Sequence, residues 1–410
     1  MIRDSINPTK AGMLGQPRQS LQTNVDKIDT NISAQPFPFV DLKAQYREIK
    51  SEIDAAIKRV MDSEQFILGP DVESLENDIA HYCGSRFAIA CASGSDALLL
   101  ALMALEVGPG DEVVTTPFTF VATAGAIARL GARPVFVDID PNTYNIDSSR
   151  LQSAVSSKTR AIIPVHLFGM AADMDAIAAI AKLGGVSVVE DAAQAIGATY
   201  AGRSAGSIGV CGCFSFFPSK NLGGAGDGGM LITSDERLAD RLRVLHLHGG
   251  RTKYEYELIG MNSRLDALQA AILRVKLRRL DSWTAGRKQR AQRYAELFDE
   301  RGLTGIVRLP VVAAKCTHVY HQYVIRAPHR DQLKAFLRNR GVPSEIYYPS
   351  PLHLQPAFRY LEYKSGELPQ AETASREVLA LPVFPEMTEE QQSFVVDSIA
   401  VFYRNANRRR

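Results

Sequence analysis

The chain has 410 residues, enough for two to three domains at roughly 100–200 residues each. Hydrophobic residues make up 46% and charged residues 22%, a globular balance that excludes a disordered chain, a fibrous repeat and a minimal disulfide scaffold. With 47 basic and 45 acidic residues the formal net charge is +2, so no bulk attraction to nucleic acid or to an anionic membrane follows.

Residues 1–36 are polar and lack the apolar stretch of a signal peptide, while Asp4, Asp26 and Asp29 argue against a transit peptide. They read as a flexible leader. The five cysteines (Cys83, Cys91, Cys211, Cys213 and Cys316) form an odd, sparse set. Without a secretory signal they read as reduced thiols of a cytoplasmic protein. The longest apolar run, Pro117 to Ala128, is far short of the ~20 residues of a membrane span and reads as a buried helix.

From Phe39 onward strands and helices alternate. Ile49, Ile53, Ile57 and Val60 make one helical face apolar. Phe87 to Ala90 is a short strand, and Ser93-Gly-Ser-Asp96 opens the helix Ala97 to Glu106. Val113 to Thr115, Val135 to Val137, Ala161 to Leu167 and Val186 to Val189 read as further apolar strands, with a helix at Met174 to Lys182. Apolar strands between helices predict an α/β fold with a mostly parallel sheet covered on both faces. Cys213 to Phe217 and Met230 to Thr233 continue the series, and Thr233-Ser-Asp-Glu236 reads as a capping box. Beyond, Leu265, Leu268, Ile272 and Val275 start a helix that runs on toward Phe298. Tyr320 to Arg326 reads as a strand, and Asp331 to Arg340 and Thr388 to Phe402 as helices. This predicts a large α/β domain over 37–275 and a smaller α+β domain over 276–403. Residues 404–410 form a basic tail, read as a frayed end rather than a nucleic-acid arm.

Several motifs lead nowhere. Gly224-Ala-Gly-Asp-Gly-Gly229 has the letters of a dinucleotide loop, but it runs into a strand where that loop must open a helix. Asp138-Ile-Asp140 could hold a divalent metal for a glycosyltransferase, yet it reads more simply as a strand-ending turn with solvated acids. Cys211-Gly-Cys213 lacks the spacer of a zinc or redox pair. The pairs His246/His248 and His318/His321 read as structural or substrate-lining rather than as metal ligands.

Four features gather at strand ends or helix starts, where open α/β sheets bind ligands. Gly94-Ser95-Asp96 offers free N–H groups and a hydroxyl to a phosphate, or merely caps its helix. Asp191, in Glu190-Asp-Ala-Ala-Gln194, could hold a heteroaromatic nitrogen protonated, since an opposite charge favours the charged form. Lys220 follows the aromatic run Ser215-Phe-Phe-Pro-Ser, where desolvation would lower its pKa and free its amine as a nucleophile. Phe118-Thr-Phe120 offers a ring to stack on a flat group, with core packing the default. Phosphate cradle, acid, lysine and ring together suggest pyridoxal phosphate (PLP).

With these motifs, and with Phe39-Val-Asp-Leu-Lys-Ala-Gln-Tyr46 and Gly260-Met-Asn-Ser-Arg-Leu265, the sequence resembles the DegT/DnrJ/StrS family of nucleotide-sugar aminotransferases, a fold-type-I PLP group, from about Phe37 to residue 400. The resemblance implies that Lys220 forms the Schiff base and shuttles the proton, that Asp191 pairs with the pyridinium nitrogen and that Gln194 meets the phenolic oxygen. It implies that Phe120 stacks on the ring and that Gly94, Ser95 and Ser215 hold the phosphate. It also implies a homodimer with shared sites, in which Asn262 reaches the neighbour's phosphate and Arg264 its substrate. Related dehydratases carry histidine at the lysine position, so Lys220 implies transamination, with glutamate as the usual donor. Tyr347-Tyr-Pro-Ser-Pro-Leu-His353 is similar to the branch acting on 3-keto sugars, including 3-keto uronic acids. Tyr347, Tyr348, His353 and Arg264 are the implied substrate residues, and Arg264 could pair with a uronate or with glutamate's carboxylate. His318, Tyr320 and His321 are further pocket candidates. The alternatives are a non-catalytic PLP-binding regulatory protein and the metal-dependent glycosyltransferase.

Overall fold

The computed structural model describes residues 37–407. The expected leader, and residues 408–410 of the expected basic tail, lie outside the described residues. Residues 404–407 are no frayed end but the last turn of a helix.

Two helices begin the fold. In α1 (Leu42–Ser63) Asp41 accepts from the Ala44 N–H, and Ile49, Ile53, Ala56 and Val60 are buried. Helix α2 (Pro70–Cys83) has proline in its first turn and ends at Gly84 in the left-handed region. An alternating series follows: β1 (Phe87–Cys91), α3 (Gly94–Ala104), β2 (Glu112–Thr115), α4 (Ala122–Arg129), β3 (Arg133–Phe136), α5 (Ser148–Ala154), β4 (Thr159–Ile162), α6 (Met174–Gly184) and β5 (Ser187–Asp191). After a small hairpin, β6 (Thr199–Tyr200) and β7 (Arg203–Ser204), come β8 (Cys211–Ser215), β9 (Gly229–Thr233) and α7 (Glu236–Leu245). The main sheet has the order β1-β9-β8-β5-β4-β2-β3. Only β9 runs against the others. The α/β fold with a mostly parallel sheet is thus present. Side chains alternate between two covered faces. Phe214, Met230 and Ile232 pack beneath α1, α2 and α8 (Ala267–Leu277), while Cys211, Cys213 and Leu231 pack beneath α3 and α7.

A second core unites α9 (Leu280–Glu300), the pair β10 (Tyr323–Arg326) and β11 (Val378–Leu381), α10 (Arg330–Asn339) and α12 (Glu389–Asn407). Phe37, from the far end of the chain, also packs there. Helix α11 (Pro369–Glu377) returns to the main sheet. The buried Asp138 carboxylate accepts the Gln370 and Ala371 N–H groups at its start, both at 2.9 Å.

Several expected elements change. The helix from Leu265 toward Phe298 is two helices, broken at Arg278 and Arg279. In one continuous helix neighbouring side chains point ~100° apart. At the break both guanidinium groups reach Glu52 of α1. The strand expected over Ala161 to Leu167 ends as a regular strand at Ile162; beyond it Ile163 still donates to the Val114 carbonyl and Val165 bridges to Asp191, and Leu167–Gly169 is a 3-10 turn. The strand expected from Tyr320 starts at Tyr323, because Tyr320 has φ 47° and leaves the ladder. Only Ala122 onward of the Pro117 to Ala128 run is helical. At α7 the cap is Asp235, which accepts from Arg237 and Leu238 N–H, while Thr233 belongs to β9 and donates to Val210. Asp138 is buried as a helix cap rather than solvated, and Asp140 accepts from the Asn142 and Thr143 N–H groups. Among the described residues no helix is long and apolar enough to cross a membrane, and no group of three His, Cys, Asp or Glu side chains could hold a metal ion.

Candidate active site

The carboxyl ends of β1, β2, β4, β5 and β8 open into one cavity of about 460 Å³. Its walls include Ser95, Phe120, Asp191, Ser215, Lys220 and Tyr348. Gly94, Gln194 and Tyr347 also line it.

One end is built from the start of α3. Ser93, not Ser95 or Asp96, is the cap: its Oγ accepts the Asp96 N–H at 3.1 Å and its carbonyl the Ala97 N–H. That leaves the Gly94 and Ser95 N–H groups without a partner among the described residues, at the positive end of a helix. A Cβ on Gly94 would stand 2.6 Å from the Ser215 Cβ. Only glycine lets β8 approach this turn so closely.

Asp191 ends β5. Its Oδ1 accepts the Ala193 N–H at 3.2 Å and its Oδ2 the Thr123 hydroxyl at 2.8 Å. Burial pushes its carboxyl up, while these bonds and the Lys220 charge pull it back. The preceding Glu190 is a structural lock. It accepts from Gly206, Ile208 and Gly209 N–H and pairs with His166 Nε2 at 2.7 Å. His166 Nδ1 accepts the Ala172 N–H, so the proton toward Glu190 sits on Nε2.

Lys220 closes a turn after β8, its N–H bonded to the Phe217 carbonyl. Its ammonium makes no hydrogen bond with the described residues. Crowding by protein strips it of water and lowers its pKa to about 8, against the opposing pull of Asp191. Beside it His321 is buried and neutral, its pKa held well below the usual range by burial and by the Lys220 charge. Asn221 donates to the Val319 carbonyl, so its oxygen faces His321 Nδ1 at 3.3 Å. Phe120 is 56% exposed and presents its ring to the cavity, whereas Phe118 is buried in the core. Gln194 is fixed at both ends: its oxygen accepts the Phe168 N–H at 2.7 Å and its amide donates to the Tyr348 hydroxyl at 3.2 Å.

Gly94, Ser95, Phe120, Asp191, Gln194, Ser215, Lys220, Tyr347 and Tyr348 therefore meet in one place. His353 does not join them. Its ring is buried in a 3-10 turn, 3.2 Å from Glu372 of α11 and edge-on to Tyr363. His318 and Tyr320 stack on each other at 4.0 Å and face a separate groove beside α9, while His321 lines the cavity. Asn262 and Arg264 do not line the cavity of the chain that carries them. They flank Ser263, which is tied to the α3 turn through Asp96 and Ala92. Sequence reasoning missed Thr119, Thr123 and Gln322. The one signal for the threonines was their spacing of four, which shares a helical face.

The residues present fit a phosphorylated, flat heteroaromatic group. Unpaired amides lie at a helix start, an exposed ring forms one wall, and a buried acid and a desolvated amine complete the site. The model of the DegT/DnrJ/EryC1/StrS aminotransferase family matches residues 47–400. The chain is 55% identical over 368 residues to a "Pleiotropic regulatory protein" of Geobacillus stearothermophilus, covering 90% of this chain and 99% of that one. It is 46% identical over 355 residues to a UDP-N-acetyl-3-dehydro-alpha-D-glucosamine 3-aminotransferase of Acidithiobacillus ferrooxidans, covering 86% and 94%. Among solved structures it is similar to DesV of S. venezuelae, with a TM-score of 0.87, 43% identity and 90% and 99% coverage. It is also similar to NtdA of Bacillus subtilis with bound cofactor PMP, with a TM-score of 0.82, 32% identity and 91% and 86% coverage.

Proposed function

We propose, for a chain that belongs to the DegT/DnrJ/EryC1/StrS aminotransferase family and is a PLP-dependent sugar aminotransferase, that its donor is glutamate and its acceptor a nucleotide-linked 3-keto sugar. The observation that carries this reading is Lys220, a desolvated amine with no hydrogen-bond partner among the described residues, in one cavity with Asp191 and its two hydrogen bonds. The 3-keto assignment draws on the Tyr347-Tyr348 segment and on the 3-aminotransferase relative.

When bound, PLP supplies an electron sink for charge that develops on the carbon losing its proton. The protein supplies the rest. The Gly94 and Ser95 N–H groups, with the Ser95 and Ser215 hydroxyls, would hold the phosphate at the α3 N-terminus. Asp191 would keep a proton on the ring nitrogen, and the Phe120 face would fix the ring plane. Gln194, held by Phe168 and Tyr348, would donate its remaining N–H to the ring's oxygen. Lys220 Nζ would take the substrate's α-proton as general base and return it as general acid. Its pKa of about 8 suits both duties near neutral pH. Asn262 and Arg264 would act in the neighbouring subunit of a homodimer, Arg264 on a carboxylate of the donor or of a uronate.

The test is Lys220→Ala, assayed for 2-oxoglutarate release from glutamate with added PLP. The expected loss is about 10²–10⁴-fold from proton transfer alone. A variant that keeps most of its turnover contradicts the reading. Supplying the wild-type protein with 3-keto and 4-keto nucleotide sugars, neutral and uronic, then fixes the acceptor. Preference for a 4-keto sugar would overturn the assignment to position 3.

A further inference from the structure

Thr123 lies in the first helical turns of α4, and Thr119 stands one turn before it. Both are buried, as is Asp191. The Thr123 hydroxyl oxygen is 2.8 Å from Asp191 Oδ2, 3.0 Å from Thr119 Oγ1 and 3.3 Å from the Phe120 carbonyl. A hydroxyl has one proton to give, and the carboxylate is both the nearest and the strongest acceptor. Thr123 therefore donates to Asp191, and Thr119 donates to Thr123. Among the described residues this is the only side-chain donor to the Asp191 carboxylate; the Ala193 N–H holds the other oxygen.

The same short segment carries Phe120, whose ring is exposed to the cavity. One stretch of chain thus presents the stacking wall and grips the acid 68 residues away. We propose that Thr123, backed by Thr119, is a positioning residue that keeps Asp191 ionised and aims it into the cavity; this rests on the reading in which Asp191 meets the cofactor's ring nitrogen. Without that bond the buried carboxylate loses a donor that favours its charged form. The ring nitrogen would then hold its proton less tightly. A ring without that positive charge accepts a proton elsewhere on the bound cofactor more easily, because like charges no longer oppose it.

The experiment titrates the visible band of the PLP-loaded protein against pH, in wild type, Thr123→Val, Thr123→Ser and Thr119→Val, with thermal melting alongside. In Thr123→Val the midpoint should rise by about one pH unit and PLP should leave roughly tenfold faster. Thr123→Ser restores the hydroxyl and should restore the midpoint. Thr119→Val leaves the carboxylate bond in place and should give a smaller rise, and it carries the test if Thr123→Val does not fold. An unchanged midpoint in the valine variants, even with lower melting temperatures, would show that these threonines only pack, and would overturn the proposal. A wild-type protein with no visible band would overturn the functional reading itself, and this inference with it.

Discussion

Burial acts in opposite senses on the two charged groups of the cavity. It raises the Asp191 carboxyl and lowers the Lys220 amine, and each charge partly offsets the other's shift. A lysine whose pKa falls from 10.5 to about 8 is protonated below that pH and nucleophilic above it. Capture of PLP by the protein freed of cofactor should therefore rise about tenfold per pH unit up to ~8 and then flatten. Stopped-flow mixing between pH 6.5 and 9.5 checks this, and a rate still climbing at 9.5 would mark an ordinary solvated lysine. At Gly94, alanine would force its Cβ against Ser215, so Gly94→Ala should bind PLP at least ~10-fold more weakly with an unchanged far-UV spectrum. Tight binding in that variant would show that the close approach is not needed. The meeting of Lys220, Asp191 and Ser95 in one cavity was legible in the sequence because each lies within a few residues of the end of an apolar run. Thr123 was not, because its partner is 68 residues away and only sheet packing brings them together. His353 misled, because its proximity in sequence to Tyr347 and Tyr348 says nothing about the 3-10 turn that folds it against α11.

Strands and helices were legible where one physical signal dominated. The buried strands centre on short apolar runs, and a sheet covered by helices on both faces follows from that. Ends and breaks were harder to read. Thr233-Ser-Asp-Glu236 offers two capping side chains, and pairing in β9 takes Thr233 and leaves Asp235 to cap α7. The break at Arg278 and Arg279 has no glycine or proline to announce it. Asp138 shows how an acid beside a second acid misleads: its two oxygens are spent on the first N–H groups of α11 and on Ile139. Asp138→Ala should therefore cost about 1–2 kcal/mol of stability, as loss of a helix cap does. Chemical denaturation of the variant measures this. A chelator added to the wild-type protein should leave amino transfer unchanged, whereas loss of activity on chelation would return a metal role to Asp138 and Asp140.

At the scale of the whole molecule, Asn262 and Arg264 flank Ser263, which is tied to the α3 turn, yet stay outside their own chain's cavity. If they serve a neighbour, each active site of a symmetric dimer draws Lys220 from one subunit and Arg264 from the other. Lys220→Ala and Arg264→Ala proteins, each inactive, should then recover activity when unfolded together and refolded. Random pairing puts one intact site in half of the dimers, giving about a quarter of wild-type turnover. No recovery would place Arg264 in its own subunit's chemistry or in none. The central claim, amino transfer through PLP, is tested most directly by the visible absorbance of the PLP-loaded protein before and after glutamate. The predicted result is a band that glutamate bleaches and a nucleotide-linked 3-keto sugar then restores. A band that glutamate leaves untouched, as in a cofactor-binding regulator, or no band at all, would contradict it.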